Sequence, residues 1–429
     1  MSTDKPKGIP KSRTSSLFSM AAKIALKEGK TLLQNSTEKR LAKMMSQADI
    51  VVKHVGQLKG AAMKAVQMIS IEAQDLLPPE VIAILEKLQS QAPPLPNDLM
   101  IKSIRDELGD ELFSKLENLS TDPIASASIG QVYEACFEGK PVVVKVQYPD
   151  IATSIDSDLN TLKKLISTLN FITNKKINLD EIFSEVKRIL IQETNYKNEA
   201  KLLKLYKNGF ESSHDYTIPS VFEEFSTERI IVLSKEEGIE ISQWINSYPN
   251  QESKERIGSL LLNLYMKEFF DNQLVQTDPN PANFLVTEDL KLVLLDFGAT
   301  ISYSDKFVQE YRALIRSVFL EDKESLLQTI LKLNLISEKE SKEAQSAFVD
   351  FLKLSVHPFS EDLQPFDFSQ SEYSDEVRKS ALVFTRLLKY SPPPKELIFL
   401  HRKLGGLFQL LRKLAITADL SEFRHRVLS

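Results

Sequence analysis

The chain has 429 residues, 42% of them hydrophobic and 26% charged, with a net charge of -5. That length can bury a large core and argues for two or three domains or lobes, and the acidic balance gives no general reason to expect nucleic-acid binding. A single Cys136 excludes an intramolecular disulfide and a cysteine metal cluster, five scattered histidines (His54, His214, His357, His401, His425) lack metal-ligand spacing, and no run approaches the roughly 18 apolar residues of a membrane span or resembles a signal peptide.

Residues 1–36 are basic. Counted to residue 44, ten Lys/Arg face three acidic residues. The first sixteen, rich in Ser, Thr, Lys and Pro, are expected to be disordered. Leu17, Met20, Ala21, Ile24 and Ala25 then fall at helical spacing beside Lys23, Lys27 and Lys30. Such a helix can lie on an anionic membrane; packing on the protein body is the preferred reading. Residues 37–118 form a helical extension. Leu41, Met44, Met45, Ala48, Val51, Val52, Val55 and Leu58 predict one long helix to about 73. Pro78-Pro79 interrupts it, a second helix covers 80–91, and Ala92-Pro93-Pro94-Leu95-Pro96 is a stiff linker. Asn97 or Asp98 then caps a helix expected to end near Gly109.

The pattern changes near Leu119. Residues 119–238 read as a small β-rich lobe. Ile124-Ala125-Ser126-Ala127-Ser128 is a loop between candidate strands. Gly130 to Phe137 and Val142 to Val146 are strands joined by Glu138-Gly139-Lys140-Pro141. Residues 157–208 return to helical periodicity, and Val221 to Phe225 and Ile230 to Leu233 read as two more strands. Residues 239–429 are mostly helix. The fold class is α+β.

Within that last region, Asp278 and Asn283 stand five residues apart in a loop, and the apolar run from Leu292 delivers Asp296-Phe297-Gly298. A protein-kinase-like fold uses this arrangement to hold ATP and magnesium. One Asp faces the acceptor, while an Asn and a second Asp supply the oxygen ligands that Mg²⁺ prefers. Asp278 is the candidate catalytic acid, with Asn283 and Asp296 as metal ligands. Lys145, ending a run of valines, can reach nucleotide phosphates. Glu199, on a predicted helix, can pair with it. The backbone of Ala125, Ser126, Ala127 and Ser128 can offer N–H groups to phosphate oxygens. Ser234 to Gly238 is a plausible hinge. Each signal alone is weak, but their order is the one a two-lobed kinase-like fold requires.

The chain resembles the UbiB family of atypical kinase-like proteins, most closely its coenzyme Q biosynthesis branch. The resemblance rests on Pro123-Ile-Ala-Ser-Ala-Ser-Ile-Gly-Gln-Val132, Val144-Lys-Val-Gln-Tyr-Pro149, Gln276-Thr-Asp-Pro-Asn280 with Asn283, Leu295-Asp-Phe-Gly-Ala-Thr300, Pro392-Pro393-Pro394 and Leu400-His-Arg-Lys-Leu-Gly-Gly406. It implies a two-lobed protein-kinase-like fold with a helical N-terminal extension, use of ATP and Mg²⁺, and ATPase activity in support of ubiquinone or related isoprenoid-lipid metabolism. It also implies a Lys145–Glu199 ion pair and a nucleotide preference altered by Ala127. N-terminal helices would fold over the site, with Lys64, Gln67 and Glu193 as regulatory residues. The family's Lys-x-Gly-Gln reads Lys64-Ala65-Val66-Gln67 here, and its Glu-x-Asp reads Glu193-Thr194-Asn195.

Three functions are compatible with these residues: an ATPase, a phosphotransferase acting on a small molecule or lipid, and a nucleotide-gated binding module without turnover. Expected partners are ATP, an anionic membrane surface or prenyl-quinone-type lipid, and biosynthetic enzymes. The match begins close to Met1, which leads to the expectation of a bacterial, cytoplasmic protein, peripheral to the inner membrane.

Overall fold

The computed structural model describes residues 61–72, 85, 96–127, 129–172, 180–320, 323–370 and 395–428, with isolated positions between 373 and 387. The expectations for residues 1–60, for the Pro78-Pro79 break, for the 80–91 helix apart from buried, helical Leu85, and for the Pro-rich stretches 92–95 and 392–394 lie outside these. The chain divides into two compact units. One ends at Lys197 and adds Glu223–Val232; the other takes Asn198–Phe222 and Leu233–Ser429. The division runs through the helix Tyr196–Asn208.

The first unit carries a sheet of β1 (Ala125–Ala127), β2 (Gly130–Phe137), β3 (Lys140–Gln147) and the strand Ile230–Ser234, in that order. Glu138 and Gly139 both have positive φ, 49° and 71°, so β2 and β3 meet in a two-residue hairpin of the type whose twist matches the strands. The pleat then sorts side chains by parity. Val142, Val144 and Val146 are buried, whereas Val143 and Lys145 face the half-open side. Register places Lys145 opposite Val132.

Three local expectations change. Ala125–Ala127 is a strand paired with Gly130–Val132 rather than a loop. Val221 makes only an isolated bridge to Leu233, and Glu223–Phe225 is a 3₁₀ turn. That turn sets Phe225 edge-on to Phe137, with ring centroids 4.9 Å apart. The helix expected to stop near Gly109 runs over Asn97–Lys115, because Gly109 takes φ 74° and the helix resumes beyond it. Its N-cap is Pro96; Asn97 donates instead to Asp122 Oδ1 at 2.7 Å.

The helix Ala61–Glu72 buries Ala61, Ala62, Ala65, Val66, Met68 and Ile69, packing on Ile151–Ile172 and Asp180–Glu193. Lys64 is buried in the same helix and pairs with Glu193 at 3.4 Å.

The second unit is mainly helical. The helix Gln251–Met266, capped by Asn250 Oδ1, continues into a π-turn over Lys267–Asp271. Phe269 lies at the centre of an aromatic cluster with Phe270, Tyr303, Tyr311 and Tyr265, and is fully buried. A sheet of Tyr216–Thr217, Leu292–Leu294, Phe284–Val286 and Ile239–Glu240 lies in this unit, as does the pair Leu274–Gln276 with Thr300–Ser302. The helix Lys395–Leu414 buries Leu397, Leu400, Leu407, Leu410, Leu411 and Leu414. This face is core.

Phe269→Ala is expected to cost about 3–5 kcal/mol, the usual loss for a buried Phe, measured as a shift in the denaturant midpoint of the second unit. A value near zero would mean that the cluster does not organise the core. His401 supplies a pH dependence. Burial pushes its imidazole down to about 4, and Tyr311 Oη lies 3.3 Å from Nε2. The unfolded chain binds a proton near pH 6.5, the folded chain only near 4, so stability falls on acidification through that window. Its partly accessible edge makes the effect smaller than full burial would give. Thermal midpoints from pH 7 to 4 should fall more steeply for the wild-type chain than for His401→Gln; equal slopes would remove His401 from the account.

Candidate functional site

The Asp278 loop is held at both ends. Gln276 stands opposite Thr300 in an antiparallel pair. Thr277 then donates to the Ala299 carbonyl twice, from its backbone N at 3.1 Å and from Oγ1 at 2.7 Å. The residue before Asp278 is thus tied to the residue after Gly298. Beyond Asp278, Asn280 Oδ1 caps a single 3₁₀ turn, Pro281–Asn283, by accepting from Ala282 N. Pro281 suits this start, since its fixed φ is helical and its missing N–H needs no partner.

That turn brings Asn283 back over Asp278. Asn283 Nδ2 lies 3.3 Å from Asp278 Oδ2. The hairpin of Phe284–Val286 and Leu292–Leu294 then returns the chain, and Leu295 N donates to the Asn283 carbonyl at 3.0 Å. Asp296 follows directly, its Oδ1 accepting from Gly298 N at 3.0 Å. Asp278, Asn283 and Asp296 therefore come together as the sequence spacing predicts. Phe297 is fully buried against Tyr206, ring centroids 4.8 Å apart.

Two carboxylates and one amide make a hard oxygen set. Among the described residues no group of three or more His, Cys, Asp or Glu could hold a metal. The set suits Mg²⁺, which keeps waters and phosphate oxygens and needs few protein ligands.

The C-terminal helix backs this loop. Arg402 approaches Asp278 Oδ1 at 3.5 Å. Gly406 touches the Pro279 ring so closely that a Cβ would overlap it. Between them, Lys403 is buried and pairs with Glu268 at 3.0 Å. Arg402, Lys403 and Glu268 carried no assigned role in the sequence reading. A signal was present: Lys403 sits on the apolar stripe of Leu400, Leu407, Leu410 and Leu414, and Glu268 between Leu264 and Phe269. A charge on a buried stripe needs a partner.

The remaining site residues divide between the units. In the first, the Lys145 ammonium lies 5.1 Å from the centroid of the Tyr196 ring, a cation–π distance. Ala125 and Ser126 are exposed on β1, the backbone of Ala127 completes that strand, and Ser128 lies outside the described residues, as does the side chain of Gln67. Lys64 and Glu193 form the ion pair given above. Glu199 belongs to the second unit and is buried at 3% exposure, on the same helix as Tyr206.

Residues 87–330 match the ABC1 atypical kinase-like domain. A mitochondrial atypical kinase, COQ8 of Saccharomyces cerevisiae, is 32% identical over 425 residues, covering 96% of this chain and 84% of the relative. The mitochondrial atypical kinase coq-8 of Caenorhabditis elegans is 30% identical, covering 93% of this chain and 53% of the relative. A solved structure of Rv3197 from Mycobacterium tuberculosis, in complex with erythromycin, has a TM-score of 0.60 at 23% identity, covering 92% of this chain and 98% of the other. That last likeness concerns the fold. These mitochondrial relatives lend no support to the expected bacterial origin. The chain belongs to the ABC1 (UbiB) family of atypical kinase-like proteins, on the side of its coenzyme Q branch.

Proposed function

We propose that the chain binds ATP with Mg²⁺ and hydrolyses it in support of ubiquinone or other isoprenoid-lipid metabolism. The observation that carries this reading is the convergence of Asp278, Asn283 and Asp296 through one 3₁₀ turn and one hairpin. Asn283 and Asp296 would hold Mg²⁺, which when bound neutralises phosphate charge. Asp278 would orient the attacking water and accept its proton. Lys145, seated over the Tyr196 ring, would hold the phosphates as a point charge, with Glu199 as its partner. The β1 backbone would lie along the nucleotide. Lys64, Gln67 and Glu193 would form a regulatory gate.

The names of the yeast and nematode relatives support the link to coenzyme Q. A peripheral placement on an anionic membrane fits the described residues, none of whose helices is long and apolar enough to cross one. The test is phosphate release from Mg-ATP by the purified chain, with and without anionic vesicles. Release that vesicles stimulate supports the ATPase reading. Label passed from ATP to an extracted lipid or metabolite would replace it with a phosphotransferase. Binding without release would replace it with a nucleotide-gated module.

Asp296→Asn should weaken Mg-ATP binding by at least about tenfold, or 1.4 kcal/mol, in calorimetry, and abolish phosphate release. Wild-type affinity in that variant would sink the metal assignment. Gly406→Ala should push Pro279 and misplace Asp278 beside it. Its kcat is expected to fall by roughly tenfold or more, as small displacements of a reacting group do, with a smaller change in nucleotide affinity. An unchanged kcat would show that the loop tolerates the shift.

A further inference from the structure

Glu268 has no solvent exposure, yet it carries a carboxylate. It lies in the π-turn Lys267–Asp271, at the end of the helix that leads to the Asp278 loop. Its Oε1 accepts from Tyr206 Oη at 2.7 Å, from Gln276 N at 3.1 Å and from Lys403 Nζ at 3.2 Å; Lys403 reaches Oε2 at 3.0 Å. Lys403 Nζ donates onward to Gln276 Oε1 at 3.3 Å. Burial pushes the Glu268 carboxyl up, and Lys403, Tyr206 and Gln276 oppose that shift. Burial and the nearby carboxylate hold the Tyr206 hydroxyl well above its ordinary range, so it stays a donor.

Four partners on four segments meet at this carboxylate. Tyr206 lies on the helix that carries Glu199, two turns further on, and its ring packs on Phe297. Gln276 ends the strand two residues before Asp278. Lys403 lies between Arg402 and Gly406, both of which touch the Asp278-Pro279 corner. Tyr206, Glu268, Gln276 and Lys403 line one small cavity together with Asn283 and Asp296.

Stability alone does not require such a pair. A buried ion pair is often matched or bettered by apolar residues of similar size. What apolar packing cannot do is fix direction. The Glu268 cluster aims hydrogen bonds at both the backbone and the side chain of Gln276, and so sets where the next residues begin.

We infer that Glu268 and Lys403 are positioning residues, a buried lock that holds the Asp278 loop, the Asp-Phe-Gly segment and the C-terminal helix in the arrangement catalysis needs. The inference rests on the nucleotide-site reading above. It names no contact with substrate: the pair acts through Gln276 and, by way of Tyr206, through Phe297.

The test compares the wild-type chain with Glu268→Gln, Lys403→Met and the double variant. Each is read by thermal midpoint, by kcat and KM for Mg-ATP hydrolysis, and by hydrogen–deuterium exchange of the 274–283 segment. Either single change should lower the midpoint, because it leaves a buried group unmatched. The double variant should recover most of that loss. Its kcat should nonetheless stay down by at least about tenfold, with KM changed far less, as misplacement of a reacting group predicts. Exchange over 274–283 should remain raised.

A double variant with recovered midpoint and wild-type kcat overturns the proposal, and so does wild-type exchange in that segment. If the wild-type chain neither binds nor hydrolyses Mg-ATP, the nucleotide reading falls by itself, and the exchange comparison alone decides on the lock. Where the double variant fails to fold, Tyr206→Phe removes a single hydroxyl from the same carboxylate. Raised exchange over 274–283 then supports the lock, and unchanged exchange overturns it.

Discussion

Taking a carboxylate out of water costs several kcal/mol unless donors meet it from within. Glu268 is placed under that constraint, and the surrounding fold answers it. A π-turn delivers the side chain, a tyrosine arrives from one helix, a lysine from another, and a backbone amide from the strand entering the Asp278 loop. Because each donor belongs to a different segment, satisfying one group fixes four pieces of chain at once. The same geometry stacks the Tyr206 ring on Phe297, so the polar centre and the aromatic contact are two sides of one residue.

The first unit handles a buried charge more simply. Lys64 meets Glu193 at 3.4 Å in a helix otherwise lined with Ala, Val, Met and Ile. Val66, where the family pattern has Gly, is itself only 1% exposed, so the extra methyl groups are core and not a surface ornament. Asn195, where the pattern has Asp, is exposed just before the helix Tyr196–Asn208. A change from charge to amide there alters electrostatics at the surface and leaves packing alone.

Legibility in the sequence followed range. The β2–β3 hairpin could be read because strand parity and the Glu-Gly turn are local. Asp278 and Asn283 could be read because five residues suffice to close one 3₁₀ turn, with Asn280 as its own cap. Ala125–Ala127 was missed as a strand because small polar and apolar residues carry no alternation; only the pairing with Gly130–Val132 defines it. Gly109 read as a helix end because its φ is that of an end, yet the chain resumes helix beyond it. Glu268 and Lys403 are 135 residues apart. Periodicity could show that each sits on a buried stripe, but not that the two stripes face each other. The Lys145–Glu199 pairing is likewise a relation that no local pattern can supply.

The π-turn has a consequence of its own. One α-helical residue turns the chain by about 100° and advances it about 1.5 Å. A π-turn carries one residue more than its α counterpart, and such bulges often occur at functional sites. Here that residue lets Glu268 and Phe269 both be fully buried although they are neighbours in sequence. Shortening Lys267–Asp271 by one residue would leave an ordinary helix intact while rotating one of the pair toward solvent and shifting the entry of the next strand. In this segment the length of the chain is therefore under tighter constraint than its composition: substitutions preserve the phase of the helix, whereas a one-residue deletion resets it.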